Sequence, residues 1–258
     1  DLLWKLPEGL SFAEGATLPV VATTVQHALG DLAKVKAGDK VLIHAVSGGD
    51  GLLAIQHCKR VGATIYGTCG SEAKTKYVRE LGVQFVTSSR KPEIFVKDMQ
   101  KYLGKNGKVD VVLNSLLDPF ISASLSFLSE NGIFIELGKR GIWTHEQMKA
   151  ARPDVQYETV AVDLMIEDNP RWFALQLHRM TQRLESGDLT PISATVFDMT
   201  DHQDGGVAAF RFLQKAQHVG KVVLTIPSAL SPKEHTALLK KSYVITGGHG
   251  ALGLVVCK

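Results

Sequence analysis

The chain lacks any run of about 18 or more apolar residues, so nothing in it reads as a transmembrane helix. It has little charge of one sign in excess: 29 Lys and Arg stand against 26 Asp and Glu, a net +3. So small a surplus gives no reason to expect a nucleic-acid partner or a membrane surface. Cysteine is scarce, and Cys58, Cys69 and Cys257 are too widely spaced for a disulfide framework or a zinc cluster. A reducing, cytoplasmic setting is the expectation. The nine histidines form no H-x-x-x-H or His/Cys pattern, so no metal site is expected, and no G-x-S-x-G nucleophile motif occurs. The opening DLLWKLPEGL has no basic start followed by an apolar stretch and is not a signal peptide. At 45% hydrophobic and 21% charged, the composition is that of a globular protein and not of a disordered one.

What is present is alternation. VLIHA (41–45), ATIYGTC (63–69), VQFVTSS (83–89), VDVVLNS (109–115) and IFIELG (133–138) are short apolar or β-rich runs. Between them lie helical patterns at 52–62, 72–82, about 92–104 and 119–132, with Gly62 and Gly82 as C-terminal stops and Asn-Gly ending the last. Five strands alternating with helices predict an α/β fold, a doubly wound parallel sheet. Residues 139–166 are mixed and end in a strand-like VQYETVAVDL. A long helix follows at 168–187, with Asp168 or Asn169 as N-cap and Pro170 in its first turn. TPISATVFDM (190–199) reads as extended, VAAFRFLQKAQ (207–217) as a helix and KVVLTIP (221–227) as a strand. Residues 228–241 read as a linker. SYVITGGHGALGLVVCK then begins a second strand–glycine-turn–helix pattern.

The glycine turns carry the chemistry. Ser47-Gly48-Gly49-Asp50-Gly51 follows a strand and opens a helix. Glycine lets the backbone approach a pyrophosphate, and the helix N-terminus offers unpaired N–H groups and a positive dipole end. Dinucleotide binding is therefore expected here; a plain tight turn is the alternative. The second strand ends Thr68-Cys69-Gly70-Ser71, with Lys74 one turn later and no carboxylate at the tip. A hydroxyl and an ammonium suit a 2′-phosphate and favour NADPH; Ser71 serves equally as an N-cap and Lys74 as a solvated helix residue. Asp50 opposes the pattern. Its carboxylate either stabilises the helix start while pointing aside or repels the phosphates.

From Leu6 to Ile226 the chain resembles the enoyl reductase domain of modular polyketide synthases and type I fatty acid synthases, zinc-independent medium-chain reductases. The matching blocks include LPEGLSFAEGATLPVVATTVQHAL (6–29), VKAGDKVLIHAVSGGDGLLAIQ (35–56), GTCGSEAKTKYVRELG (67–82), VDVVLNSL (109–116), IFIELGKR (133–140) and FRFLQKAQHVGKVVLTIP (210–227). YVITGGHGALG (243–253) resembles the opening of the ketoreductase domain that follows in such synthases.

The resemblance implies NADPH-dependent reduction of an α,β-unsaturated thioester on an acyl carrier protein, with hydride to the β-carbon and a proton to the α-carbon. It implies Lys139 and Asp163 as the proton-donating pair; a structural ion pair is the other role open to them. It implies Gly48, Gly49 and Gly51 at the pyrophosphate, and Ser71 and Lys74 at the 2′-phosphate with Arg90 beside them. It places Thr24, Asn114, Ser115, Gly138, His218, Gly220 and Lys221 in segments lining the cofactor cleft. His218 also reads as a helix C-terminal histidine before a Gly220 cap. Asp50 stands where the family usually has a small apolar residue.

The domains implied are an edge of a GroES-like β-domain (1–24), the NADPH-binding Rossmann unit (25–190), a return to the β-domain (191–227), the linker (228–241) and a ketoreductase start (242–258). Together they predict a piece of a longer polypeptide whose β-domain is only partly present. Two alternatives belong to other classes: reductive closure of a halogenated enoyl thioester to a cyclopropane, and a non-catalytic scaffold between synthase domains, weakened in cofactor binding by Asp50.

Overall fold

The structure is a computed structural model that describes residues 5–199 and 205–226. The linker and ketoreductase-like segments expected at 228–258 lie outside the described residues. Two helices, α1 (Phe12–Gly15) and α2 (Pro19–Val25), come first, and α2 runs on into a π-helical segment at Gln26–Leu32. Strand and helix then alternate: β1 (Lys40–Ile43), α3 (Gly49–Val61), β2 (Thr64–Cys69), α4 (Glu72–Glu80), β3 (Phe85–Ser88), α5 (Pro92–Leu103), β4 (Val109–Asn114), α6 (Phe120–Phe127) and β5 (Leu128–Glu136). After these come α7 (His145–Ala151), β6 (Gln156–Thr159), α8 (Val162–Asp168), α9 (Pro170–Glu185), β7 (Ala194–Asp198), α10 (Gly205–Gln214) and β8 (Lys221–Thr225).

Six strands form one parallel sheet in the order β3-β2-β1-β4-β5-β6. The order reverses between β1 and β4, the switch point where doubly wound sheets open a crevice at their carboxyl ends. Each strand sorts its side chains with period two. Val41 and Ile43 pack into the layer that holds α2, α3 and α9, while Leu42 faces the layer of Phe95, Phe120 and Phe134. The fold class read from the alternation is the one observed.

Several boundaries differ. The helix expected over 119–132 ends at Phe127, because Leu128 turns extended and Asn131 takes a left-handed φ of 58°. A register shift against β4 absorbs the extra residues as a bulge. The mixed region resolves into α7, β6 and α8, so Asp163 sits on the first turn of a helix, not in a strand. Asn169, not Asp168, caps α9, its side chain accepting from the Trp172 N–H at 3.1 Å. Residues 5–24 carry no strand, and α2 contributes Val21, Ala22 and Val25 to the main core.

A close backbone approach fixes the glycine turn. A Cβ on Gly51 would lie 2.5 Å from the carbonyl carbon and the Cα of Val46, so only glycine lets α3 start that close to the end of β1. Beneath the turn is a buried polar set. His44 Nε2 lies 2.8 Å from Ser124 Oγ, and Ser124 donates to the Phe120 carbonyl. Thr68 Oγ1 accepts from the Ala45 N–H and lies 3.2 Å from His44 Nδ1. These roles assign the proton of His44 to Nε2 and make Nδ1 the acceptor.

Burial holds the His44 imidazole neutral, its pKa pulled down to about 3, and His57 follows at about 4. An unfolded imidazole protonates near 6.5, so between about pH 6.5 and 3 the unfolded chain binds the extra proton. Stability is then complete above this window and lost as pH falls through it, by up to about 1.4 kcal/mol per unit for each histidine. Urea midpoints measured from pH 7 to 4 should fall, and less steeply in His44→Gln. An equally steep fall in the variant contradicts the assignment.

Candidate functional site

Most of the residues singled out from sequence fall along one edge of the six-stranded sheet, at the carboxyl ends of its strands; Thr24 comes from α2, and His218, Gly220 and Lys221 from the segment entering β8. Arg90 follows β3, Ser71 and Lys74 follow β2, and the Gly48–Gly51 turn follows β1. Asn114 ends β4, Ser115 follows it, Gly138 and Lys139 follow β5, and Asp163 opens the helix after β6. From the tip of β2 to the tip of β5 is three strand spacings, roughly 14 Å.

Gly48 is the N-cap of α3, and Gly49, Asp50 and Gly51 form its first turn. The segment before β8 crosses this turn. Gly48 and Gly220 form an isolated parallel bridge, and the Gly220 N–H donates to the Ser47 carbonyl at 2.8 Å. Gly220 has φ 69° and is buried, and any Cβ on it would overlap the Ser193 carbonyl. It therefore serves a close backbone crossing and not the helix cap read from sequence; α10 ends earlier, at Gln214. The aliphatic stem of Lys221 lies over Gly49, whose Cβ would meet it at 3.0 Å, and Val21 of α2 closes the other side at 3.2 Å.

The crossing gathers cations. Lys74 Nζ donates to the Ala216 carbonyl at 2.7 Å, tying α4 to the same segment. Burial pulls the Lys74 ammonium below its ordinary value, with Cys69 opposing and Arg90 adding to the shift. His218 is pulled down by burial and then by Lys74 and Lys221, and its Nδ1 is buried without a hydrogen-bond partner. Arg90 packs on the other side of the tip, its Nε 3.1 Å from where a Gly70 Cβ would stand. Ser71 caps α4, its hydroxyl accepting from the Lys74 N–H. Thr24 turns its hydroxyl back to the Val20 carbonyl of its own helix, leaving α2 to line the turn with Val21.

Asp50 is half-buried at the helix start. Burial pushes its carboxyl up, with Lys221 and its own N–H opposing. At the other end of the edge, Lys139 and Asp163 form an ion pair, with side chains 61% and 54% exposed. The hydrogen bond from Lys139 holds the Asp163 carboxyl below its ordinary range. Below this pair lies a residue that the sequence reading passed over. Glu136 is fully buried, accepting from Asn114 Nδ2 and from the Gly138 N–H, each at 2.6 Å.

Comparison with known proteins agrees with this geometry. A family profile described as zinc-binding dehydrogenase matches residues 49–175. The nucleotide-binding subdomain of the enoylreductase domain of PpsC from Mycobacterium tuberculosis is 32% identical, with TM-score 0.61 over 67% of this chain and 97% of its own. This chain belongs to the enoyl reductase domains of polyketide synthases. CurK enoyl reductase is 39% identical with TM-score 0.78, covering 86% of this chain and 65% of its own. The CurF ER cyclopropanase from the curacin A pathway is 36% identical with TM-score 0.80. The pikromycin polyketide synthase component PikAII of Streptomyces venezuelae is 40% identical over 98% of this chain, which spans only 6% of that relative. Zinc in the family's description finds no donor set here. No three His, Cys, Asp or Glu side chains come together among the described residues. Burial pushes the Cys58 and Cys69 thiols up, away from the thiolate a metal needs.

The exposure of the Lys139–Asp163 pair predicts a small structural role. Lys139→Ala should change unfolding free energy in urea by less than about 1 kcal/mol. A loss of several kcal/mol would make the pair a structural one.

Proposed function

We propose that this chain is the cofactor-binding part of an NADPH-dependent enoyl reductase domain, acting on an α,β-unsaturated thioester carried by an acyl carrier protein of the same synthase. One observation carries the reading: glycine turn, cations and ion pair follow one another along the carboxyl edge of the sheet in the order a dinucleotide requires. The phosphate-binding groups stand at the β1–β2 end, and the proton-handling pair stands at the β5–β6 end. The His218 Nδ1, buried without a hydrogen-bond partner and within the influence of Lys74 and Lys221, would donate to an anionic ligand in its Nδ1–H tautomer.

Bound NADPH would supply a hydride to the β-carbon of the enoyl thioester. Gly48, Gly49 and the start of α3 would hold its pyrophosphate with backbone N–H groups. Lys74, Arg90 and the Ser71 hydroxyl would hold the 2′-phosphate, with Lys74 exchanging its bond to Ala216 for a charge-assisted one. Asn114, Ser115, Gly138, His218, Gly220 and Lys221 would line the path between the two ends. The Lys139 ammonium would face the enolate oxygen as charge develops there, and Lys139 with Asp163 would hold the proton that the α-carbon takes.

Ring closure to a cyclopropane is the less favoured reading. There the α-carbon displaces a halide and takes no proton, so the proton held by Lys139 and Asp163 has no acceptor and only the contact of Lys139 with the enolate oxygen is used. A scaffold role leaves the cation cluster without a task.

The expected domain division draws support from an uncovered apolar surface. β7 and β8 form a two-stranded parallel sheet, an arrangement that is marginal alone and normally buried on both faces. Around it Phe12, Val196, Met199, Val207, Phe210 and Ile226 are each 49% or more exposed. We assign this surface to the contact with a β-rich substrate domain, to which residues 191–227 return.

In the synthase polypeptide carrying this chain, Lys139→Ala should lower turnover of a crotonyl thioester about a hundredfold at saturating NADPH. Lys74→Ala should spare turnover there but raise the NADPH dissociation constant at least about tenfold, leaving NADH binding unchanged. Equal turnover losses in the two variants would remove the case for Lys139. Asp50→Asn should tighten NADPH binding by roughly fivefold or less, about 1 kcal/mol, read by nicotinamide fluorescence. Weaker binding in that variant would show Asp50 to be a stabiliser of the site.

A further inference from the structure

Glu136 is the carboxylate that the proposed chemistry does not use. It is 0% exposed, and no ion pair reaches it among the described residues. Both of its short hydrogen bonds come from donors. Gly138 offers a backbone N–H, and Asn114 offers Nδ2. The Asn114 amide cannot be turned round, because its Oδ1 accepts from the Leu116 N–H at 3.1 Å and its Nδ2 also donates to the Leu116 carbonyl at 2.7 Å. An ionised carboxylate satisfies both donors strongly, whereas a neutral acid turns one oxygen into a weaker hydroxyl acceptor with a buried O–H to place, and an amide sets one N–H against another.

Three parts of the crevice meet at this residue. The Asn114 side chain is the edge of β4, and Gly138 immediately precedes Lys139. The backbone carbonyl of Glu136 accepts from the Val160 N–H at 2.9 Å, three residues before Asp163. Gly138 has no room for a side chain, since its Cβ would stand 2.6 Å from Glu136 Oε1 and 3.0 Å from Ile142.

We propose that Glu136 is a positioning residue, whose carboxylate through Asn114 and Gly138 sets Lys139 against the open edge of the sheet. The assignment rests on the enoyl reductase reading for its effect on rate, but the anchoring itself does not. Burial raises the Glu136 carboxyl, with Asn114 and the Gly138 N–H opposing. The groups facing it are Asn114 from β4 and Tyr157 from β6, whose phenol is pushed up to about 12 and stays neutral. The Lys139–Asp163 pair lies beyond the turn, and Asp163 titrates below its ordinary range. Protonation of Glu136 weakens one acceptor and adds a buried O–H, so turnover falls as pH drops through its titration, above the range where Asp163 protonates.

Glu136→Gln in the synthase polypeptide tests this in two arms. By hydrogen exchange, the peptide spanning 137–142 should exchange at least tenfold faster, while the segment over 41–58 is unchanged. By NADPH oxidation with crotonyl thioester, kcat should fall at least tenfold with the NADPH dissociation constant within threefold, and the acidic limb of the pH profile should disappear. Glu136→Asp, which keeps both acceptors one methylene further back, should recover part of each effect. Unchanged exchange and unchanged kcat in Glu136→Gln overturn the proposal, as does a Glu136→Asp variant no better than Glu136→Gln. A wild type that binds NADPH but oxidises none would remove the enoyl reductase reading, and the exchange arm would still decide the anchoring.

Discussion

Two backbone crossings leave no space for side chains, and the rest of the crevice depends on them. At Gly51 the first turn of α3 rests on the backbone of Val46, and at Gly220 the chain returning to β8 passes between Ser193 and the Ser47–Gly48 peptide. The first crossing aims the N-terminus of α3 across the open edge of the sheet. The second brings Ala216, His218 and Lys221 over that N-terminus from more than 150 residues away. A methyl group at either place would push the two pieces apart and separate the cations from the positive end of the helix dipole, so that the two could no longer face one anion together.

The charge along the edge follows from the strand order. Around the tip of β2 the chain places Lys74 and Arg90 with no carboxylate at the strand end, and Lys221 extends the positive field toward β1, with the imidazole of His218 held toward its neutral form between them. Beyond β5 the field changes character, to the solvent-exposed Lys139–Asp163 ion pair. Between them lies Asp50, a carboxylate at an anion site, tempered by its burial and by Lys221. Buried polar residues carry the frame underneath. His44 ties β1 to β2 and α6, and Glu136 ties β4 to β5 and the turn that holds Lys139.

Local signals were legible and long-range ones were not. The alternation of apolar runs with helical patterns, the glycine turn and the Gly62 stop with its left-handed φ of 82° all depend on neighbours in sequence. The helix start at Val162 was hidden because VQYETVAVDL is β-rich throughout, and packing against α9 decides its state. Gly220 looked like a helix cap because it follows a helical pattern, yet its conformation answers to Ser193 and Ser47. The partner of Lys74, the Ala216 carbonyl, is 142 residues away. Glu136 sits inside the run IFIELG and drew no separate reading; its two donors become visible only when β4 and β5 are paired.

The central claim is that this edge delivers hydride to one carbon of an enoyl thioester. NADPH deuterated at both C4 positions, incubated with crotonyl thioester and the synthase polypeptide in ordinary water, tests it directly through the position of the label in the product. The account predicts one deuterium at the β-carbon and a solvent proton at the α-carbon. Deuterium at the α-carbon, or a product without deuterium, would contradict it.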